Sequence, residues 1–255
     1  MFVSDIGVRS YSFPAEVDPV ASDRAPLEQS IGVIIPALDE EQSIGKVLAD
    51  IPAGLVDIVV VVDNGSSDRT AAVAAAGGAL VVSEARRGYG QACLTGMAAL
   101  AETGVDIVVF LDADYSDYSE EMSLLVEPII RGDADFVVGS RVRGERQAGA
   151  LLPQARFGNA LATWLIKKLY GVAYTDLGPF RAIRHEALKN LQMADRDFGW
   201  TVEMQTKAAR HGLRVAEIPV RYRKRIGTSK VSGTVKGSIL AGYKILFTIA
   251  RYARS

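Results

Sequence analysis

Cysteine and histidine are scarce in this sequence, which also lacks a long apolar run and a strong net charge. One cysteine and two histidines exclude a disulfide within the chain and leave too few of the usual ligands for a structural zinc site. No stretch reaches 18 uncharged apolar residues, so no membrane-spanning helix is expected. The net charge of −1 argues against nucleic acid as a partner. With no secretory signal recognisable, a cytoplasmic location is expected.

Positive charge is concentrated at the C-terminal end of the chain. From Arg214 to Ser255 there are ten Lys or Arg residues against one acid, Glu217. A helix over residues 231–252 would place Lys236, Lys244 and Arg251 opposite an apolar arc. The arc consists of Val231, Val235, Ile239, Tyr243, Leu246 and Ile249. Such a helix is typical of proteins that bind a membrane surface, here the inner face of the cell membrane, or of a helix packed on the protein body or on a second subunit.

Short runs rich in Val and Ile alternate with helical segments between residues 31 and 140. The predicted strands span residues 31–36, 57–63, 79–83, 106–112 and 135–140, and the predicted helices between them span 41–51, 67–76, 89–102 and 119–131. Nearly continuous apolar strands indicate a sheet covered on both faces, and helical crossovers make neighbouring strands parallel. The sequence therefore predicts an α/β fold with an open, doubly wound, mainly parallel sheet.

The domain organisation predicted from these patterns has three parts. Residues 1–29 form a flexible arm, residues 30–230 the α/β domain, and residues 231–255 a basic amphipathic helix that extends it. In the less regular second half of the domain, helices are predicted at residues 156–170 and 200–211 and a strand at 214–223.

Acidic residues follow three of the predicted strands. Because the carboxyl ends of parallel strands lie at one edge of the sheet, where ligands bind, these acids should lie close together. Carboxylates suit Mg²⁺ or Mn²⁺, which bind through one or two such groups plus substrate phosphates. The alternative for the second cluster is a simple turn with Ser67 capping the next helix. The clusters are Asp39 with Glu40, Asp63 with Asp68, and Asp112 with Asp114.

Seven motifs in this chain resemble those of glycosyltransferase family 2 in order and spacing. They are VIIPALDEE, VVDNGSSDRT, RRGYGQA, FLDADYS, VVGSR, TDLGPFRA and YRKRIGTSK. The chain looks most like the polyprenyl-phosphate sugar synthase branch, typified by dolichyl-phosphate mannose synthase. The resemblance implies a GT-A fold, with a Rossmann-like nucleotide-binding half and a helical C-terminal extension, and a nucleotide-sugar donor.

The resemblance also implies roles for individual residues. The nucleoside end of the donor would contact Pro36, Leu38, Glu40, Asp63, Arg87 and Gly88. The ribose, metal and diphosphate would contact Asp112, Asp114, Gly139, Ser140 and Arg141, with Arg225, Ser229 and Lys230 closing over the phosphates. The metal would be Mg²⁺ or Mn²⁺.

Two departures from the family pattern affect these roles. Relatives often carry Gln two residues after the second Asp of the DxD motif as a further metal contact, and here Ser116 stands there. Relatives commonly read Ser-Gly-Phe-Arg where this chain has LGPFR at residues 177–181. The first departure makes Ser116 a shorter metal contact, and the second leaves the sugar and acceptor unspecified.

The function expected from the residues and the resemblance is metal-dependent, inverting transfer of a hexose from a GDP- or UDP-sugar to a polyprenyl phosphate such as dolichyl or undecaprenyl phosphate. The leaving diphosphate would be stabilised by the metal and by cationic side chains. A lipid phosphate needs no strong base, whereas a hydroxyl acceptor would, and Glu203 stands where hydroxyl-acceptor relatives place one. An alternative of another class is a non-catalytic nucleotide-sugar sensor or membrane adaptor.

Overall fold

The computed structural model describes residues 29–227, 247–249 and 251–252, together with the backbone of residues 9–10. Its centre is an eight-stranded sheet. The strands are Arg9–Ser10 (β1), Ile31–Ala37 (β2), Ile58–Asp63 (β3), Leu80–Ser83 (β4), Ile107–Phe110 (β5), Phe136–Ser140 (β6), Arg181–Arg184 (β7) and Val215–Pro219 (β8). The helices are Ile44–Ala49 (α1), Thr70–Ala76 (α2), Tyr89–Leu100 (α3), Met122–Ile130 (α4), Pro153–Tyr170 (α5), His185–Leu191 (α6) and Trp200–Arg210 (α7), with a 3₁₀ turn at Ser119–Glu121.

The strand order is β1-β8-β6-β7-β5-β2-β3-β4. All pairs are parallel except those made by β7, which runs antiparallel to β5 and β6. This confirms the predicted doubly wound, mainly parallel sheet. Because β5, β2 and β3 are neighbours and parallel, the acids that follow them reach the same edge.

The core lies on both faces of the sheet, as the unbroken apolar strands predict. On one face Ile34, Phe110 and Cys93 pack in a cluster that includes Trp200, whose ring lies 5.9 Å from that of Phe110. On the other face Ile35 and residues of α1 and α4 form a second cluster. Cys93 is therefore a core residue.

The structure differs from the prediction at several elements. Arg9–Ser10 of the predicted arm pairs in parallel with β8, at the sheet edge. The sequence pattern predicts neither β7 nor α6, because the short RAIR strand has Arg at both ends and the helix that follows it has only seven residues. Helix α5 begins at Pro153, a residue favoured at the first helical position, rather than at 156. Helix α2 begins at Thr70. The Ser67 hydroxyl does not cap this helix but donates a hydrogen bond to the carboxylate of Asp39.

The predicted C-terminal helix lies largely outside the described residues. Residues 247–249 and 251–252 are helical, as predicted, and pack on the protein body through the buried Ile249. In the part of the chain that the structure describes, no helix has both the length and the hydropathy to cross a membrane.

Candidate active site

A cavity of about 480 Å³ lies at the carboxyl ends of β2, β3 and β5. Its walls come from the loops after these strands, from the start of α3, and from four segments later in the chain. The lining includes Pro36, Leu38, Glu40, Asn64, Arg87, Gly88, Tyr89, Asp112, Asp114, Arg141, Leu177, Pro179, Asp197, Phe198, Thr201, Tyr222 and Arg225. Nine predicted site residues are among them, so the structure brings most of the predicted site together.

Two carboxylates, those of Asp112 and Asp114, line the cavity directly after β5. Burial and the neighbouring negative charge of Asp114 raise the pKa of Asp112 to about 6, although the hydroxyl of Tyr89 donates a hydrogen bond to its Oδ1 at 3.0 Å. Asp114 is buried and forms an ion pair with Arg225, with 2.8 Å between Nη2 of Arg225 and Oδ2 of Asp114. Two carboxylates that lie close together repel each other, and a bound cation would relieve this repulsion.

The donor set fits a hard divalent cation. In the described residues no group of three His, Cys, Asp or Glu side chains is arranged around one point. A cation held by Asp112 and Asp114 would therefore take its remaining ligands from water and a diphosphate, the arrangement that Mg²⁺ and Mn²⁺ favour. Ser116 is buried and does not line the cavity, but its backbone N–H donates to Oδ1 of Asp114 at 2.9 Å. Its role as a direct ligand stays a prediction.

The cationic segment after β8 reaches the carboxylates through backbone pairing. The N–H of Ile226 donates to the carbonyl of Asp114, and the N–H of Arg223 donates to that of Ser116, both at 2.9 Å. The guanidinium of Arg223 stacks 3.3 Å from the centre of the Tyr115 ring. These contacts fix Arg225 beside Asp114 even before a ligand binds. Ser229 and Lys230, which are predicted to close over the phosphates with Arg225, lie outside the described residues.

Arg141 is the one residue of the predicted trio 139–141 that lines the cavity. Its guanidinium makes two bonds to the buried carboxylate of Asp176, each 2.8 Å long, and the Arg141 N–H donates to the same side chain. Ser140 lies behind it, with its hydroxyl 2.7 Å from that of Thr175, and Gly139 packs under the Phe180 carbonyl. Ser140 and Gly139 therefore support Arg141 rather than face the cavity.

The end of the cavity that is predicted to hold the nucleoside contains Asn64, a residue that was not predicted from the sequence. Asn64 donates from its amide to the carbonyls of Glu84 and Arg86 and accepts from the N–H of Gly88. It thereby holds the turn that leads into α3. Asp63, expected to meet the base, is not a lining residue and accepts from the N–H of Ser66 at 3.0 Å. Asn64 belongs to the DNGSSDRT motif. Which of the adjacent residues Asp63 and Asn64 lines the cavity depends on the register of β3.

Glu203 is fully buried and does not line the cavity. Its carboxylate accepts bonds from the N–H of Asp195 at 2.7 Å, the Tyr252 hydroxyl at 2.6 Å and the Lys207 ammonium at 2.8 Å. Burial alone would raise the pKa of Glu203, but these hydrogen bonds lower it below the usual range. Glu203 is therefore not a solvent-exposed charge on α7, and its role as a base stays a prediction.

The fold and this site define a GT-A glycosyltransferase. Residues 32–192 match the family described as Glycosyl transferase family 2. This chain belongs to glycosyltransferase family 2, and it is an enzyme. The alternative of a non-catalytic adaptor therefore loses its support.

Three known proteins illustrate the similarity. An uncharacterized glycosyltransferase of Mycobacterium tuberculosis is 41% identical over 214 residues, covering 83% of this chain and 94% of the relative. The dolichyl-phosphate hexose transferase of Haloferax volcanii is 30% identical over 214 residues, covering 82% and 90%. The structure of glucosyl-3-phosphoglycerate synthase from M. tuberculosis, in complex with Mn²⁺, UDP-glucose and phosphoglyceric acid, superimposes with a TM-score of 0.68 at 26% identity and covers 89% of this chain and 80% of that one. The second relative supports the resemblance to the polyprenyl-phosphate branch.

Proposed function

We propose that this enzyme transfers a hexose, with inversion, from a nucleoside-diphosphate sugar of the GDP-mannose or UDP-glucose type to a polyprenyl phosphate at the cytoplasmic face of a membrane. The observation that carries the proposal is the pairing of two cavity carboxylates, Asp112 and Asp114, with the guanidinium of Arg225. This arrangement suits a site for a metal-bound diphosphate, in which the cation and the guanidinium share the phosphate charge.

In the proposed reaction Asp112 and Asp114 would hold Mg²⁺ or Mn²⁺, which would neutralise charge on the diphosphate. A lone pair of the acceptor phosphate oxygen forms a bond to the anomeric carbon. The bond from that carbon to the β-phosphate oxygen breaks, and its electron pair leaves with the nucleoside diphosphate. Arg225 stabilises the charge that develops on the leaving group, and Lys230 and Ser229 are proposed to act beside it. No proton has to be removed from an ionised phosphate acceptor.

The lipid acceptor is supported by the surface of α5. This helix contains no acidic residue, and its exposed side carries Phe157, which is 72% exposed, and Trp164, which is 55% exposed. Lys168 lies on the same side, with its ammonium 5.8 Å from the Trp164 ring centre, and Arg156 is also exposed. Exposed aromatic residues among basic ones suit the interface of an anionic membrane. The name of the H. volcanii relative points to the same acceptor class.

A second candidate acceptor is a small phosphorylated molecule with a free hydroxyl. It is favoured by the likeness to the phosphoglycerate-binding synthase structure. A hydroxyl acceptor needs a base. Glu203, the predicted base, does not line the cavity in this structure.

One product assay tests the proposal. The purified enzyme is incubated with Mn²⁺, one labelled GDP- or UDP-hexose at a time, and either undecaprenyl phosphate in detergent or 3-phosphoglycerate. We expect label to enter the organic phase only with the lipid phosphate, and to be lost in Asp114→Asn. Transfer confined to the water-soluble acceptor would replace the first proposal with the second. No transfer to either acceptor, with the wild-type protein folded and binding nucleotide, would contradict both.

A further inference from the structure

Residues 194–198, here called the wall loop, form one side of the cavity and are held in place by Glu203. Asp197 and Phe198 line the cavity. The carboxylate of Glu203 accepts from the N–H groups of Ala194 and Asp195, the first two residues of the loop. Glu203 therefore fixes the loop from behind, on the side away from the cavity.

The wall loop is in turn packed against the start of α3. The carbonyl of Arg196 accepts from the N–H of Gln91 at 2.9 Å, and a Cβ added at Gly88 would lie 2.2 Å from the same oxygen. The two glycines of the RRGYG motif thus allow the loop backbone to approach. Tyr89, between them, bonds Asp112. A shift of the wall loop would therefore move the turn beside the nucleoside end of the cavity and the partner of Asp112.

The described residues of the C-terminal helix, 247–249 and 251–252, reach this arrangement through Tyr252 and Thr248. The hydroxyl of Tyr252 donates to Oε1 of Glu203 at 2.6 Å, and the Lys207 ammonium lies 4.9 Å from the centre of the Tyr252 ring while pairing with Glu203. Thr248, one turn earlier, is buried beside Gly199, the residue that follows the wall loop. Glu203 thus accepts hydrogen bonds both from Tyr252 of the C-terminal helix and from the wall loop, and so connects the two.

We propose that Glu203 is a positioning residue that couples docking of the C-terminal helix to the shape of the donor cavity, so that release of Tyr252 weakens donor binding. Glu203 acts here through the wall loop and not on the acceptor. Within the described residues, the groups that bond its carboxylate are donors, and the side chain has no exposed surface. The inference rests on the cavity being the donor site of the proposed function.

The test compares Tyr252→Phe with Tyr170→Phe in the full chain. Tyr170 is the matched control, because its hydroxyl donates to the Ile249 carbonyl of the same helix at 3.3 Å but contacts neither Glu203 nor the wall loop. Binding of UDP and GDP with Mn²⁺, the donor KM and kcat are measured for each. Tyr252→Phe should raise Kd and KM about 3- to 10-fold, the range expected for one lost hydrogen bond, with kcat within about 2-fold. Tyr170→Phe should leave all three within about 2-fold.

Glu203→Gln separates positioning from proton transfer. Positioning predicts a larger rise in donor KM than Tyr252→Phe gives, and an unchanged pH profile of kcat. Loss of the acidic limb of that profile with donor KM unchanged would identify Glu203 as a base and overturn the inference. Equal donor binding in wild type, Tyr252→Phe and Glu203→Gln would also overturn it. Failure of the wild-type protein to bind any nucleotide would instead refute the proposed function on which the inference rests.

Discussion

The hydroxyl of Tyr89 donates a hydrogen bond to Oδ1 of Asp112, 3.0 Å away, and so links the first residue of α3 to the acidic end of β5. This bond lowers the pKa of Asp112, which burial and the charge of Asp114 otherwise raise. Tyr89 therefore favours the ionised form of the carboxylate that we propose as a metal ligand.

Replacing Tyr89 by Phe should weaken metal-dependent nucleotide binding. Loss of the hydrogen bond raises the pKa of Asp112 further, so protons compete better with the cation as the pH falls towards 6. We expect the Mn²⁺ concentration for half-maximal thermal stabilisation by UDP or GDP to rise about 3- to 10-fold at pH 6.5, and less at pH 8. An equal effect at both pH values would contradict this account of Tyr89.

Replacing Arg225 by Ala should lower kcat more than it weakens donor binding. The guanidinium is held against Asp114 and is proposed to stabilise the leaving diphosphate, a contribution of about 10²-fold for one well-placed donor. Arg225→Lys should retain part of the activity, because it keeps the charge but not the fork geometry. Arg131→Ala, which removes an exposed ion pair on α4, is the control. Full activity of Arg225→Ala in steady-state kinetics would exclude the proposed role.

Gly88→Ala should both destabilise the protein and impair nucleotide binding. Gly88 has φ +145°, and an added Cβ would lie 2.2 Å from the Arg196 carbonyl, so the wall loop must move. Gly104→Ala is the matched control, since Gly104 has φ +73° and, among the described residues other than its chain neighbours, no atom lies within 4 Å of an added Cβ. We expect about 1 kcal/mol of destabilisation for Gly104→Ala and about 3 kcal/mol for Gly88→Ala in urea unfolding. Equal losses would show that the close contact at Gly88 is unimportant.

Asp117→Asn should stabilise the protein increasingly as the pH rises. Asp117 is buried, and neither carboxylate oxygen has a hydrogen-bond partner within the described part of the chain. Burial and the charge of Asp112 raise its pKa well above the usual range. In the unfolded chain Asp117 ionises at a lower pH than in the native state. Its ionisation therefore lowers the free energy of unfolding of the wild-type protein increasingly as the pH rises above about 4. The amide removes this effect. A melting-temperature difference between variant and wild type that is constant from pH 5 to 8 would contradict the assignment.

Trp164→Glu on α5 should reduce binding to vesicles that contain anionic phospholipid. The substitution places a negative charge among Phe157, Lys168 and Arg156 at the surface proposed to meet the membrane. Leu80→Glu is the control, because Leu80 is similarly exposed, at 48%, at the start of the edge strand β4. Sedimentation with phosphatidylglycerol vesicles should show loss for Trp164→Glu alone. Unchanged sedimentation of both variants would remove the support that α5 gives to a lipid acceptor.

The sheet and the place of the site could be predicted from the sequence because both follow from local patterns. Apolar runs such as the one ending at Leu111 define buried parallel strands, and the edge at which Asp112 emerges is then set by topology. The antiparallel β7 was not predictable in this way, since its four residues carry Arg at both ends and are specified by their partners β5 and β6.

The environment of Glu203 could not be predicted for a different reason. Its helical spacing reveals Lys207 one turn later, but its other partners, Asp195 and Tyr252, lie on separate segments. The contribution of Asn64 depended similarly on the packing of the turn before α3. Resemblance to the family indicated the Asp112 and Asp114 pair and Arg225 together, and geometry separated Arg141, which lines the cavity, from Gly139 and Ser140, which support it.

The most direct test of the central claim is calorimetric titration of the purified protein with UDP, GDP and their hexose derivatives, with and without Mn²⁺, alongside Asp114→Asn. We expect at least one nucleotide to bind only with the metal present and to lose this binding in Asp114→Asn, while the melting temperature of the unliganded variant stays close to that of wild type. Binding of equal strength without metal, or in Asp114→Asn, would contradict the claim that the two aspartates after β5 form the metal and diphosphate site.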